Sequence, residues 1–239
     1  MDMGITLRET IREISREHLK LGNRLYGQCL TAVGWVGGTI PELTEKDGIV
    51  ELPMADVMAG GIVVGDALTG GRPIYVVRYQ GFQWYNSPII TNYAGKTKEI
   101  WKKSCPVFVR SIAMEGGIGP VAGSSHHGIY YRMPGIKIAS PMTPNEYKQV
   151  YDEYMRGDDT VYVSEHRKSY ENSEDTKDIV AEDPEFVLFP FSITRFNSIE
   201  AAKRLHEQSI SVSVFNQLWI NPLKIEKSQI ENLKKSKHE

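Results

Sequence analysis

A carboxylate stands at the mouth of a run of small residues in Pro53-Met-Ala-Asp56-Val-Met-Ala-Gly-Gly61, and an aromatic pair, Phe82 and Tyr85, follows one strand and one loop later. An acid beside two aromatic rings is suited to holding and activating a flat, nitrogen-containing ring, since a carboxylate in a dry site can share a proton with a ring nitrogen. The plainer alternatives are an acid favoured by the positive end of a helix and two aromatic core residues. A second group with chemical potential is Ser124-Ser-His126-His127-Gly128. Two adjacent histidines in a turn of serine and glycine are poorly explained by packing. They could donate to an acyl or carbonyl oxygen or shuttle a proton. Zinc is the other reading, but no carboxylate or cysteine stands at ligand spacing.

These groups need a frame, and the apolar periodicity supplies one. Leu7, Ile11, Ile14, His18 and Leu21 recur at intervals of three and four, as on an amphipathic helix. Apolar runs at 26–33, 49–52, 73–79, 106–112, 136–140 and 160–165 read as strands, with helices over 53–68 and 84–103 between them, Pro88 falling in the first turns of the latter. Thr143-Pro-Asn-Glu146 predicts a helix start, with a capping hydroxyl, a proline at the first helical position and an acid three residues after the cap. Tyr147, Val150, Tyr151 and Tyr154 form the inner face of that helix, and Gly157 ends it. Strands alternating with helices predict an α/β, doubly wound, mostly parallel sheet, whose ligands sit beyond the carboxyl ends of the strands. Glycine-rich loops at 34–38 and 116–128 fall at two such ends. Residues 1–168 form the first unit and the polar stretch 169–184 a linker. A partial second α/β domain spans 185–239, with strands at 186–191 and 212–215 and helices at 197–208 and 223–236.

Composition narrows the function. The chain has 239 residues, 41% apolar and 24% charged, with a formal charge of −2. Its Lys and Arg residues are scattered, with no basic stripe for nucleic acid. No apolar run approaches the ~20 residues of a bilayer span, and no signal-peptide pattern opens the chain, so the cytoplasm is the expected compartment. Cys29 and Cys105 lie in or beside apolar runs and read as buried free thiols. Arg78 and Arg110 stand on strands, where structural salt bridges are the expected use.

The order and spacing of Ile49 to Tyr79, Phe82 to Lys96, Ser124-Ser-His-His127, Met133 to Pro141 and Thr160 to Arg167 resemble the pyrimidine-binding domain of thiamine-diphosphate enzymes. The nearest match is similar to the beta subunit of the pyruvate and branched-chain 2-oxo acid dehydrogenases, with transketolase as a cousin. The resemblance covers residues 5–168, and the remainder is similar to the beginning of the family's C-terminal domain. It implies that Asp56 takes the place of the glutamate that activates the aminopyrimidine, and that Phe82 stacks on the ring with Tyr85 close by. It also implies that His126, with His127 beside it, faces the substrate.

Asp56 is a departure from the family, being one methylene shorter than the glutamate. The family's Gly-Asp-Gly motif and its asparagine, which hold the diphosphate and Mg²⁺, have no counterpart here, since Gly65-Asp66-Ala67 lies inside a predicted helix. The implied arrangement puts both groups on an alpha-type partner, in a two-plus-two heterotetramer that makes or breaks a carbon–carbon bond next to a carbonyl. The 2-oxo acid and ketose substrates of the family are both open. A non-catalytic subunit that stabilises such a partner is the competing reading. A nucleotide module without thiamine is disfavoured, because no phosphate loop follows a strand. The chain also stops before the remaining strands of the family's C-terminal domain, and the expectation is that these lie on another polypeptide, were cut away or are absent.

Overall fold

The computed structural model describes residues 4–114, 119 and 121–238, so the glycine-rich stretch expected at 116–128 lies partly outside the described residues. The first unit runs α1 (Leu7–Lys20), β1 (Leu25–Gly27), α2 (Ala32–Gly38), β2 (Ile49–Glu51), α3 (Asp56–Leu68), β3 (Ile74–Val77), α4 (Gln83–Ile89), α5 (Thr97–Trp101), β4 (Phe108–Ala113), α6 (Gly128–Tyr131), β5 (Ile136–Ala139), α7 (Pro144–Arg156) and β6 (Thr160–His166). Beyond it lie β7 (Phe186–Leu188), α8 (Thr194–Glu207), β8 (Val212–Val214), β9 (Trp219–Asn221) and α9 (Lys227–Lys234). The main sheet has the order β2-β1-β3-β4-β6-β5-β9 and is parallel except for β9, which runs antiparallel to β5. β7 and β8 form a small parallel sheet crossed by α8.

Both faces of the main sheet are covered, and the side chains divide by the two-residue period of the strands. Ile74, Val76, Phe108, Val161 and Val163 join the core under α1 and α7. Tyr75, Val77, Val109 and Tyr162 join the core under α3. Strands buried on both sides must be apolar nearly throughout, which is why β3 and β4 read as continuous runs. The predicted start of α7 is present: Pro144 is in the first turn, and the Thr143 hydroxyl accepts from the Glu146 amide. The Glu146 carboxylate accepts from the Met142 amide at 2.9 Å and from the fully buried Arg195 of α8 at 2.6 and 2.9 Å. That ion pair ties α8 to the first turn of α7.

Several predicted elements differ. The strand expected at 26–33 ends at Gly27, because Leu30 folds back over it. A Cβ at Gly27 would lie 2.6 Å from the Leu30 side chain, and the Leu30 amide donates to the Glu51 carboxylate at 2.9 Å instead of to a neighbouring strand. Cys29, on this turn, is exposed and not buried. The glycine-rich loop at 34–38 is a left-handed turn, with φ between +53° and +64° from Val33 to Gly37. The helix expected over 84–103 is interrupted by a π-turn at Ile90–Ala94 that follows Pro88, which has no amide hydrogen to bond the preceding turn. α8 begins at Thr194, three residues before the predicted cap at Asn197. Strand β9 is absent from the sequence reading, being three residues long and held by its partner β5.

His18 is buried on the inner face of α1, against Tyr151 of α7, and burial holds its imidazole down to about 4, against an ordinary 6.5. The unfolded chain therefore binds a proton there that the folded chain refuses. Stability is full above pH 6.5 and is lost as pH falls from about 6.5 toward 4, by up to about 3 kcal/mol from this group. Urea unfolding at stepped pH is expected to show that slope and His18→Gln to flatten it. A profile with the same slope in both proteins would refute the assignment. Among the described residues no helix is long and apolar enough to cross a membrane.

Candidate active site

Asp56 is the first residue of α3, which leaves β2 at the carboxyl end of the parallel sheet. Its Oδ1 accepts from Gln28 Nε2 at 3.4 Å, and no other hydrogen bond to the carboxylate is present among the described residues. Beside it opens a cavity of about 200 Å³, lined by Gln28, Cys29, Asp56, Tyr75, Arg78 and Phe82 among others. Phe82 ends a 3₁₀ turn, Gln80–Phe82, that follows β3, and its ring lies 5.9 Å from that of Tyr79. Arg78 spans the rim: its guanidinium donates to the Cys29 carbonyl at 3.4 Å and lies 5.7 Å from the Tyr79 ring. Burial, and then the charge of Asp56, raise the Tyr75 hydroxyl far above its ordinary range, so it stays protonated. It accepts from Asn86 Nδ2 at 3.1 Å.

An acid and an aromatic ring on one small cavity fit one edge and one face of an aminopyrimidine. Tyr85 is not brought there, because α4 turns it outward and leaves it 61% exposed. Asp66, the acid of the imperfect Gly-Asp motif, accepts from Tyr26 and Arg24. Among the described residues no three His, Cys, Asp or Glu side chains gather as a metal site.

The two histidines take different positions. His126 is tied to the Phe82 turn and to α4: its amide donates to Gln80 Oε1 at 2.6 Å, and its Nδ1 receives the Trp84 indole hydrogen at 3.2 Å. His127 turns the other way, its Nδ1 at 2.9 Å from Ser125 Oγ and its ring edge-on to Phe191, 5.3 Å away. It lines a separate cavity of about 380 Å³ with Tyr131, Phe189, Phe191 and Trp219. Burial, with His126 adding to it, lowers the His127 imidazole from its ordinary value. Arg110 lies far from solvent, paired with Glu165 at 2.7 Å.

Sequence reasoning missed the buried amides that connect these parts. Gln80 Nε2 donates to Ser164 Oγ at 2.9 Å and to the Ser111 carbonyl at 3.2 Å, tying the Phe82 turn to β4 and β6. Gln83 donates to Ser111 Oγ at 3.1 Å and accepts from the Tyr130 hydroxyl. The available signal is the recurrence of amide side chains at 80, 83 and 86, which is the inner stripe of a helix made polar.

Comparison with known proteins agrees with this fold. The chain is 24% identical over 200 residues to the pyruvate dehydrogenase E1 component subunit beta of Bacillus subtilis, covering 76% of this chain and 60% of that protein. It is 25% identical over 237 residues to the 2-oxoisovalerate dehydrogenase subunit beta of the same organism, covering 90% and 72%. The chain thus spans less than two thirds of the first of these. Among solved structures, transketolase from Campylobacter jejuni superposes with a TM-score of 0.80 at 16% identity, over 98% of this chain and 39% of that one. A structure titled split gene transketolase, inactive beta4 tetramer, superposes with 0.72 at 14% identity, over 98% and 77%. These likenesses establish the fold. The family described as transketolase, pyrimidine binding domain, matches residues 16–173, two thirds of the chain, and with the doubly wound sheet and the acid-and-aromatic cavity at its carboxyl edge this protein belongs to that family.

Proposed function

We propose that this chain is the beta-type half of a two-component thiamine-diphosphate enzyme that makes or breaks a carbon–carbon bond next to a carbonyl, with the diphosphate and Mg²⁺ held by an alpha-type partner. The observation that carries the reading is the placement of Asp56 and Phe82 on one cavity. When bound, thiamine diphosphate supplies a carbon nucleophile able to stabilise charge next to a carbonyl. Asp56 offers a carboxylate oxygen to hold or move one proton at the pyrimidine edge, Gln28 steadies its other oxygen, and Phe82 supplies a flat apolar face. His126 stands on the substrate side of the Phe82 turn. A 2-oxo acid decarboxylated for acyl transfer is the reaction class that the sequence relatives favour.

The partner reading is supported by an apolar rim beside the cavity. Met54 is 84% exposed, and Val57, Met58, Trp84 and Tyr85 are exposed with it, the kind of apolar surface that marks interaction sites where it is contiguous. Gly60 of the small-residue stripe packs against Ile89 of α4, whereas Gly61 and Gly65 have open space beside them. A second reading, a non-catalytic subunit, is favoured by the short acid at 56.

Calorimetric titration separates the two. Thiamine diphosphate with Mg²⁺ is expected to bind the chain assembled with an alpha-type partner, and to bind more weakly when Phe82 is replaced by alanine. An assembled complex in which Phe82→Ala leaves the affinity unchanged would overturn the site.

A further inference from the structure

We propose that Trp84 is a positioning residue that fixes His126 in a single neutral tautomer, with the proton on Nε2, so that the ring presents a hydrogen-bond donor to an oxygen of the bound substrate. An indole N–H donates and cannot accept. It lies 3.2 Å from His126 Nδ1, so Nδ1 must be the nitrogen with the lone pair, and in the neutral ring the hydrogen is on Nε2. The rings meet edge-on, with centroids 6.1 Å apart and an interplanar angle of 81°.

The backbone under the imidazole is held independently. Gln80 Oε1 accepts the His126 amide hydrogen at 2.6 Å, and the same amide group donates at its other end to the Ser111 carbonyl at 3.2 Å. A donor on one side and an acceptor on the other leave one orientation for the Gln80 amide. His126 is therefore restrained at its backbone by a residue of the Phe82 turn and at its ring by a residue of α4.

The remaining nitrogen is the informative one. Nε2 is buried and has no hydrogen-bond partner among the described residues. A buried donor without an acceptor is costly, and an oxygen ligand removes that cost. A carbonyl, carboxylate or alkoxide oxygen fits this position, whereas an ammonium or amide N–H facing Nε2–H does not. Charge growing on a carbonyl oxygen during carbon–carbon bond chemistry would strengthen the bond from Nε2–H. The ligand class rests on His126 being the substrate-side group, while the tautomer rests on the geometry alone.

Trp84 is 62% exposed, so its replacement leaves the core intact. The full chain, labelled with ¹⁵N in its histidine rings, is examined by long-range proton–nitrogen correlation, with His126 assigned by its loss in His126→Asn. The wild-type ring is expected to carry its hydrogen on Nε2. In Trp84→Phe, and in a chain with benzothienylalanine at 84, which replaces the indole N–H by sulfur at constant shape, the Nε2–H to Nδ1–H ratio is expected to fall by about 3- to 10-fold. A wild-type ring protonated on Nδ1, or an unchanged ratio in both variants, would overturn the tautomer assignment. Pyruvate added to the partner-assembled complex without thiamine diphosphate is expected to shift the Nε2–H resonance. No shift there, with the tautomer as expected, would overturn the oxygen-ligand class and with it the substrate-side reading of His126, while the role of Trp84 stands.

Discussion

Replacing Asp56 by alanine is expected to lower kcat of the partner-assembled enzyme by about 100- to 10,000-fold, the range that a positioned proton-transfer group contributes. The competing account of Asp56, an acid at the positive end of α3, predicts something much smaller. Losing such an acid costs about 0.3–1 kcal/mol of stability and leaves turnover almost untouched. The two accounts therefore differ in which quantity moves. Asp56→Asn sharpens the contrast, because it keeps the shape and the contact with Gln28 and removes the carboxyl group that can take up and release a proton; it is expected to fall as far as alanine. Asp56→Glu restores the longer acid that the family resemblance leads one to expect, and is expected to retain turnover within about 10-fold, in line with the sensitivity of such steps to placement. Steady-state kinetics with parallel thermal unfolding reads both. A kcat in Asp56→Ala within a factor of two of wild type, with stability slightly reduced, would return Asp56 to a purely structural role and favour the non-catalytic subunit.

The second large effect concerns stability. Glu165 is buried on β6 and accepts from Arg110 Nε at 2.7 Å and Nη2 at 3.0 Å, from the Tyr147 hydroxyl at 2.7 Å and from the Tyr170 hydroxyl at 2.6 Å. Burial opposes the Arg110 charge, but the Glu165 carboxylate outweighs it and raises the guanidinium above its ordinary value. Both tyrosines are held well above their ordinary range, first by burial and then by the charge of Glu165, so they remain donors. One anion thus pairs with a cation and two hydroxyls from three separate elements. Glu165→Ala leaves the guanidinium buried and uncompensated, a change that costs about 3–5 kcal/mol, or a fall of roughly 10 °C in Tm for a chain of this size. A fall of less than about 2 °C would mean that water or a neighbouring chain reaches this cluster.

The fold was largely readable because both faces of the sheet are covered. Val76, Val109 and Val161 have no solvent side to reveal, so their runs stand out, and the turn chemistry of Thr143 and Pro144 placed α7 within a residue. What escaped depended on contacts distant in sequence. Cys29 looked buried because its neighbours are apolar, but Leu30 and Glu51 redirect the chain there. Trp219 gave no strand signal, because the pairing belongs to Ala139 across the sheet. Asp56 and Phe82 were singled out through residue type and order, and they line one cavity. Gln80 and Trp84 were not, since their roles come from where Ser111 and the histidine turn end up.

The pairing of β9 with β5 also bears on how the chain is made. Ile138 meets Asn221, so the outer strand of the first sheet is delivered only after the small second sheet and α8 have been synthesised. Long-range closure of this kind is slow and entropically demanding. Until residue 221 leaves the ribosome, β5 has a bare hydrogen-bonding edge, and bare edges recruit other strands. A nascent chain interrupted before that point would carry nearly all of the candidate site and yet be the form of this protein most prone to aggregate.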